Sequence, residues 1–181
     1  MNKIKSLQSL LLELKDCAPD DYRKLCRDMD LNASEFSELA FWSKQAYTRN
    51  CVVKTDKYEL ILLCWEPGQV TPIHNHNNQE CWVYTVEGEL EEDLFEMDDQ
   101  GLPGKIRHSN YETGSKSYMV DQMGYHKLHN NSKNRAMSLH LYVGPISKCD
   151  VYNESEKVVV SKDLFYDSVE GKLLYPNPAV V

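Results

Sequence analysis

Residues 68–88 read GQVTPIHNHNNQECWVYTVEG. His74 and His76 stand one residue apart in this stretch. On an extended chain, residues i and i+2 point to the same side. The two imidazoles then face one point and suit a single metal ion. Pro67 and Gly68 supply a turn before the pair. Residues 81–86 read as a strand after it, and Gly88 supplies the next turn. Glu80 is in phase with both histidines on a regular strand, so a ligand set that includes its carboxylate stays open.

Around this stretch the chain reads as short strands. Aromatic and β-branched residues collect at 46–53, 58–65, 81–86, 90–95, 117–120, 125–129, 136–143 and 157–160, with turn residues between them. Residues 98–104 and 130–134 read as loops, and His108 reads as a solvated residue in a polar loop. Many short strands at regular spacing predict a sandwich or a closed barrel. The first 45 residues differ. Ile4, Leu7, Leu10, Leu11 and Leu14 recur at helical spacing. Pro19 ends that helix, and a second is predicted over 21–29 with Tyr22, Leu25 and Met29 inward. Asn32 or Ser34 caps a short third helix through Phe36, Leu39 and Ala40. The Pro-rich tail after Leu174, YPNPAVV, is expected on the surface. One domain is expected over 1–181, with a helical segment 1–45 packed on a β-barrel 46–181.

With 181 residues, 41% of them hydrophobic, the chain suits a globular domain with a real core. A formal charge of -8 argues against sequence-independent nucleic-acid binding and against docking on anionic lipid. No apolar run is long enough to span a membrane. Gln8, Glu13 and Lys15 interrupt the N-terminal apolar stretch, which therefore reads as an amphipathic helix and not as a signal peptide. The six cysteines (17, 26, 51, 64, 81 and 149) show no C-x-x-C spacing. A reducing cytoplasm without a disulfide framework is the expectation.

A metal site needs a third ligand. His126, in the strand-like MGYHKLHN (123–130), is the leading candidate, with His129 as an alternative. Three neutral histidines suit iron(II), zinc, copper or nickel. Two further clusters carry chemistry. In Tyr47-Thr48-Arg49-Asn50, Tyr47 and Arg49 project to one face. An Arg there is either an ordinary surface residue or a fork for a carboxylate. In 138–142, Ser138, His140 and Tyr142 alternate with leucines and share a face. That face meets either water or an internal site, and the spacing supports both readings.

Residues 68–88 resemble the first motif of the cupin superfamily, G-x5-H-x-H-x3-4-E-x6-G. Gly68, His74, His76 and Gly88 fit it with a four-residue gap, which puts Cys81 in the slot usually held by Glu; a three-residue gap puts Glu80 there but leaves Gly88 one place late. Residues 114–130 are a looser version of the second motif. His126 and Asn130 fit its end, the Pro slot is absent and the Gly-to-His gap is one residue short. Replacement of the Glu by Cys is similar to the thiol dioxygenase branch. The segments YTRN, ILLCW-x-PG, IHNHNNQECW, GYHKLHN and SLHLY occur in the order seen in the cysteine dioxygenases.

This resemblance implies a mainly β cupin jelly-roll barrel preceded by α-helices. It implies an Fe(II)-dependent enzyme that oxidises L-cysteine with O2 to cysteine sulfinic acid. Residue by residue, it implies His74, His76 and His126 as iron ligands. Arg49 would bind the substrate carboxylate, with Tyr47 and Leu63 lining the pocket. Cys81 and Tyr142 would form a thioether crosslink, and His140 and Ser138 would orient Tyr142. The partners implied are L-cysteine and O2, without nucleic acid or membrane, and a monomer is expected. Rival readings are a dioxygenase for 3-mercaptopropionate or another small thiol, and a non-catalytic metal-binding cupin. The first typically has Gln in place of Arg49. The second would keep the Glu and lack the Arg and Tyr cluster. One departure from the animal family members is local. They carry Ser-Pro-Pro after the Tyr, where this chain has Val143-Gly144-Pro145.

Overall fold

The structure is a computed structural model that describes residues 3–18 and 21–174. The expected break at Pro19 and the tail beyond Leu174 lie outside the described residues. Two helices come first. Helix α1 (Leu7–Asp16) starts at Ser6, whose Oγ accepts a hydrogen bond from the Ser9 amide at 3.2 Å. Such a cap satisfies one of the amides that a helix start leaves open. Helix α2 (Tyr22–Asp28) buries Tyr22 and Leu25. The expected third helix is a single 3-10 turn, Ala33–Phe36, capped by Asn32 through the Ser34 amide at 3.0 Å.

Twelve strands follow among the described residues: β1 (Thr48–Lys54), β2 (Tyr58–Trp65), β3 (Glu80–Glu87), β4 (Glu89–Met97), β5 (Pro103–Glu112), β6 (Lys116–Met119), β7 (Tyr125–His129), β8 (Ala136–Val143), β9 (Lys148–Asn153), β10 (Val158–Asp163), β11 (Ser168–Val169) and β12 (Lys172–Leu173). The larger sheet has the order β12-β11-β1-β2-β8-β3-β6. Facing it are a β5-β4-β7 sheet and the β10-β9 hairpin. The His74 segment joins these two pieces, because it pairs with His126 of β7 on one side and Val151 of β9 on the other.

Strands β2 and β8 pair in register from Tyr58↔Val143 to Trp65↔Ala136, and almost every residue of both is buried. The helices are the reason. Leu60, Leu62, Cys64, Met137, Leu139 and Leu141 pack in one cluster with Leu10, Leu14, Tyr22, Leu25 and Phe36. The opposite faces of the same strands point between the sheets. There Ile61, Leu63, Trp65 and Tyr142 join Leu90, Leu128, Cys149 and Val151 from the facing sheet. Each strand is thus buried on both sides, and its two residue sets meet two different surroundings.

The mainly β, helix-preceded architecture agrees with the sequence reading, and β2, β7 and β8 have the predicted bounds. Four strands were not expected: β5, β9 and the two-residue β11 and β12. Residues 103–112 form β5, so His108 lies in a strand, where its Nδ1 sits 2.7 Å from Asp93 Oδ1. This strand is largely exposed and polar, which removes the alternation that betrays a strand. Strand β9 does alternate, with Cys149 and Val151 buried in turn with Lys148 and Asp150, and was missed although that pattern was there. Among the described residues no helix is long and apolar enough to cross a membrane.

Candidate metal centre and substrate pocket

The H-x-H pair does not sit on a regular strand. It sits on a short connector held at several points. His74 exchanges both backbone hydrogen bonds with His126, at 2.9 and 2.8 Å. Such an antiparallel pair puts both side chains on one face. The Asp121 carboxylate accepts from the His76 amide at 2.8 Å and from the Asn78 amide at 2.7 Å. That anchor lets the chain turn through Asn77 and Asn78, both at positive φ. Gly124 precedes β7 at φ +106°, and a Cβ there would collide with the Phe95 carbonyl. Only glycine delivers His126 into this position.

The result is one cluster. Ligand-capable atoms of His74, His76 and His126 all lie within 4.8 Å of one another. His76 and His126 are each 1% exposed. The Nδ1 of His74 is 2.9 Å from the Pro72 carbonyl, and the Nδ1 of His126 is 2.7 Å from Glu92 Oε1. A carbonyl and a carboxylate accept only, so both Nδ1 atoms carry the hydrogen, which leaves Nε2 as the atom that can ligate. The Nε2 atoms of His76 and His126 are 3.0 Å apart. Two nitrogens each about 2.0–2.1 Å from one ion, at right angles, would be about 3.0 Å apart. The donor set therefore fits a metal ion. Burial is the main cause that lowers the His74 pKa to about 3 and drives that of His76 well below its ordinary value; the neighbouring His126 adds to both. Both rings are neutral at pH 7, as ligands must be. Neither His129 nor Glu80 belongs to the cluster. His129 sits by Asp93 at 3.2 Å, and Glu80 is exposed at the start of β3.

Glu92 was not identified from the sequence. It is 2% exposed and in phase with the inward Leu90 and Leu94. Its second oxygen accepts from Tyr111 Oη at 2.8 Å. Burial alone would raise its pKa, but hydrogen bonds from His126 and Tyr111 and the Arg107 charge hold it below the usual value. An acidic residue alternating with leucines was the available signal. Asp121 gave no signal, since its partners are backbone amides 43 and 45 residues away.

The polar set of β8 faces inward. Ser138, His140 and Tyr142 are 0%, 2% and 3% exposed. Trp65 Nε1 donates to Ser138 Oγ at 3.0 Å, and Ser138 Oγ is 2.8 Å from His140 Nε2. Ser138 Oγ thereby bridges the Trp65 indole and the His140 ring. His140 Nδ1 lies 3.8 Å from Cys81 Sγ. Cys81 stands directly opposite Tyr142 in the β3–β8 register. The Tyr142 ring meets the His76 ring edge-on, with centroids 5.4 Å apart. Burial raises the Tyr142 phenol well above its usual range and pushes the Cys81 thiol up.

Arg49 comes from β1, opposite Leu63 of β2. Tyr47 stacks on Trp65 with centroids 4.7 Å apart. The Nε of Arg49 donates to the Phe165 carbonyl at 3.2 Å. Its Nη2 is buried without a hydrogen-bond partner. Burial disfavours the charge, but Tyr142, Tyr47 and Glu59 more than offset it and the pKa rises. The same positive charge reaches His74, His76 and His140. With its Nη2 buried, Arg49 is not an ordinary exposed surface residue. Gly144 has φ +91° and a Cβ would come 2.6 Å from Gln79 Oε1. Proline is locked near φ -65°, so this backbone excludes the proline that the animal sequences carry here.

A sequence model described as cysteine dioxygenase type I matches residues 3–155. Cysteine dioxygenase type 1 of Danio rerio is 29% identical over 140 residues, which is 75% of this chain and 70% of that protein. The protein of the same name from Rattus norvegicus is 32% identical over 127 residues, 68% of this chain and 64% of that one. Among solved structures, an uncharacterized conserved protein with a double-stranded beta-helix domain from Klebsiella pneumoniae superposes with a TM-score of 0.49. It is 13% identical and the match covers 70% of this chain and 93% of that one.

Proposed function

The chain belongs to the cysteine dioxygenase type I family, and on that premise we propose that it is an iron-dependent enzyme converting L-cysteine and O2 to cysteine sulfinic acid. The observation that carries this reading is the cluster of three histidines, together with a buried Arg49 Nη2 that has no hydrogen-bond partner. Three imidazoles suit the metal, and the guanidinium suits the carboxylate of an amino acid.

His74, His76 and His126 would hold the iron. When bound, iron(II) supplies open coordination positions and the electron exchange that lets triplet O2 react with a closed-shell thiol. The protein does the rest. Arg49 grips the substrate carboxylate, and Tyr47 and Leu63 shape the walls. This fixes the thiol over the histidines and removes the entropic cost of the encounter. Tyr142 offers its hydroxyl hydrogen to the reacting sulfur and oxygen atoms, because burial keeps the phenol protonated. Cys81 ties to Tyr142 as a thioether and fixes the ring. Ser138 and His140 hold the Cys81 side of that pair. Both oxygen atoms end on sulfur, so the thiol becomes a sulfinic acid and no other reductant is consumed.

The rest of the reading is a single domain working as a monomer in the cytoplasm. The apolar cluster that α1 and α2 share with the larger sheet supports the single domain. The test is metal analysis of purified protein together with an oxygen-electrode trace. Iron near one per chain, and cysteine-dependent O2 uptake with matching sulfinate, is the expected result. Stoichiometric zinc with turnover of a non-thiol substrate would overturn it.

A further inference from the structure

The segment Leu164–Asp167 lies beyond residue 155, where the family match ends, and its Leu164 and Tyr166 pack against the cluster that holds Leu63 and Tyr142. It is laced to Arg49 at three points. The Arg49 amide donates to Asp167 Oδ2 at 2.7 Å, the Asp167 amide donates to the Arg49 carbonyl at 2.8 Å, and Arg49 Nε donates to the Phe165 carbonyl. Between the two lacing residues lies Tyr166, whose hydroxyl donates to Glu59 Oε1. Glu59 is a fully buried carboxylate on β2, on the inward face with Ile61 and Leu63. Its other oxygen accepts from the Ile146 amide at 3.0 Å. The Lys54 ammonium reaches Tyr166 Oη at 3.1 Å. The leading end of the segment is pinned separately, by the Leu164 amide on the Ser147 carbonyl at 2.8 Å.

A carboxylate this deep needs a reason, because an unpaired one is strongly disfavoured. Three donors converge on Glu59 and Tyr166, and none of them belongs to the histidine cluster. What they fix is the backbone on which Arg49 rests. A guanidinium has five N–H donors in a rigid plane. With Nε held by Phe165, the Nη end is left to meet Tyr142 and the substrate, and the strap fixes the guanidinium from the other side.

We propose that Glu59 and Tyr166 form a latch that holds the Leu164–Asp167 strap and thereby aims Arg49, making both of them positioning residues for recognition of the substrate carboxylate. This rests on the reading of Arg49 as the carboxylate binder. The latch acts on binding of carboxylate-bearing thiols and leaves the chemical step alone.

The test uses the iron-loaded full-length chain and two readouts. The first is kinetic. Tyr166→Phe removes the hydroxyl and keeps the ring, and should raise KM for cysteine about tenfold, equivalent to about 1.4 kcal/mol, with kcat within about twofold. The ratio of kcat/KM for cysteine to that for cysteamine, which has no carboxylate, should fall by about the same factor. Glu59→Gln keeps a carbonyl for the Ile146 amide and an amide for the Tyr166 oxygen, so most of the ratio should survive. Lys54→Met, at an exposed site, should give a smaller fall of about threefold. The second readout is hydrogen exchange of the Arg49 Nε–H by NMR, which should quicken in Tyr166→Phe whatever the substrate is. A merely structural role would lower thermal stability and both substrates alike, leaving the ratio and the exchange rate unchanged, and that result would overturn the latch. If the wild type ignores cysteine while the exchange rate responds as expected, the latch stands and the substrate assignment fails.

Discussion

Cys81 and Tyr142 face each other across the β3–β8 pair, as nearest cross-strand partners, with the Tyr142 ring edge-on to His76. Directly opposite residues on antiparallel strands have Cβ atoms about 4.5–5.5 Å apart. That is within reach of a bond from the sulfur to the ring carbon beside the hydroxyl. The bond would release two hydrogens, with O2 as oxidant. A chain carrying this link is branched and more compact when denatured, so a denaturing gel should show two bands. Cys81→Ser and Tyr142→Phe should each give one band. Peptide mapping that finds both side chains unmodified after prolonged turnover would exclude the link.

The histidine cluster should depend on Glu92 although Glu92 touches no metal. A partner on the far nitrogen fixes the ring and raises its basicity, and its loss typically costs about 10–100-fold in metal affinity. Glu92→Ala should weaken iron binding within that range, as read by competition with a chelator. His126→Ala removes a ligand outright and should lose most of the metal. Equal iron affinity in Glu92→Ala and wild type would show that the 2.7 Å contact to His126 Nδ1 carries no weight.

Stability of the metal-free chain should fall on acidification, starting near neutrality. Burial holds His74 at about 3 and keeps His76 and His140 well below their ordinary values. The unfolded chain takes up protons through about 6.5, while the folded chain does not. The unfolded state binds more protons, so stability rises with pH and is lost as pH falls below about 6.5. Each such histidine contributes a slope of at most about 1.4 kcal/mol per pH unit. Glu92, held low by His126 and Tyr111, adds a loss in the same direction below the ordinary carboxylate range. Bound iron should steepen the dependence, since its ligands must be neutral. Thermal melts between pH 7.5 and 5.5 check this, and a flat melting temperature would contradict it.

Arg49 should decide the substrate. Truncating one partner of a desolvated charge pair costs about 2–5 kcal/mol. At about 1.4 kcal/mol per tenfold, that is about 30-fold to several thousand-fold. Cysteamine should be a very poor substrate, and Arg49→Ala should lose kcat/KM for cysteine by a factor in that range. Arg49→Lys should not restore it fully, because a point charge lacks the planar fork. Arg49→Gln should lose less on 3-mercaptopropionate than on cysteine, if the amide still holds a carboxylate. Equal turnover of cysteine and cysteamine by the wild type would remove the physical support for cysteine.

Legibility in the sequence followed the range of the interactions. Strands β2, β7 and β8 were readable to the residue because runs such as YELILLCW and AMSLHLYV carry their own strand propensity and end at turn residues. Strand β5 was not, because its exposed polar residues show no period and its pairing with β4 supplies the order. The three histidines were readable because two lie on one short stretch and the third sits in a strand-like element. The face of Ser138, His140 and Tyr142 stayed open, since alternation separates two faces without saying which meets water.

By itself, then, the sequence determined strands such as β2, β7 and β8, the helical preface, the H-x-H pair and most of the groups with chemistry to offer, all of which depend on neighbours a few residues away. Only the tertiary structure decided where those groups point. Helices α1 and α2 cover the outer face of β2 and β8, which sends Tyr142 and His140 inward. Glu92 meets His126 from 34 residues away, and Phe165 meets Arg49 from 116. No local pattern encodes such pairs, because they exist only once burial has closed the sheets and each enclosed polar group has had to find a partner.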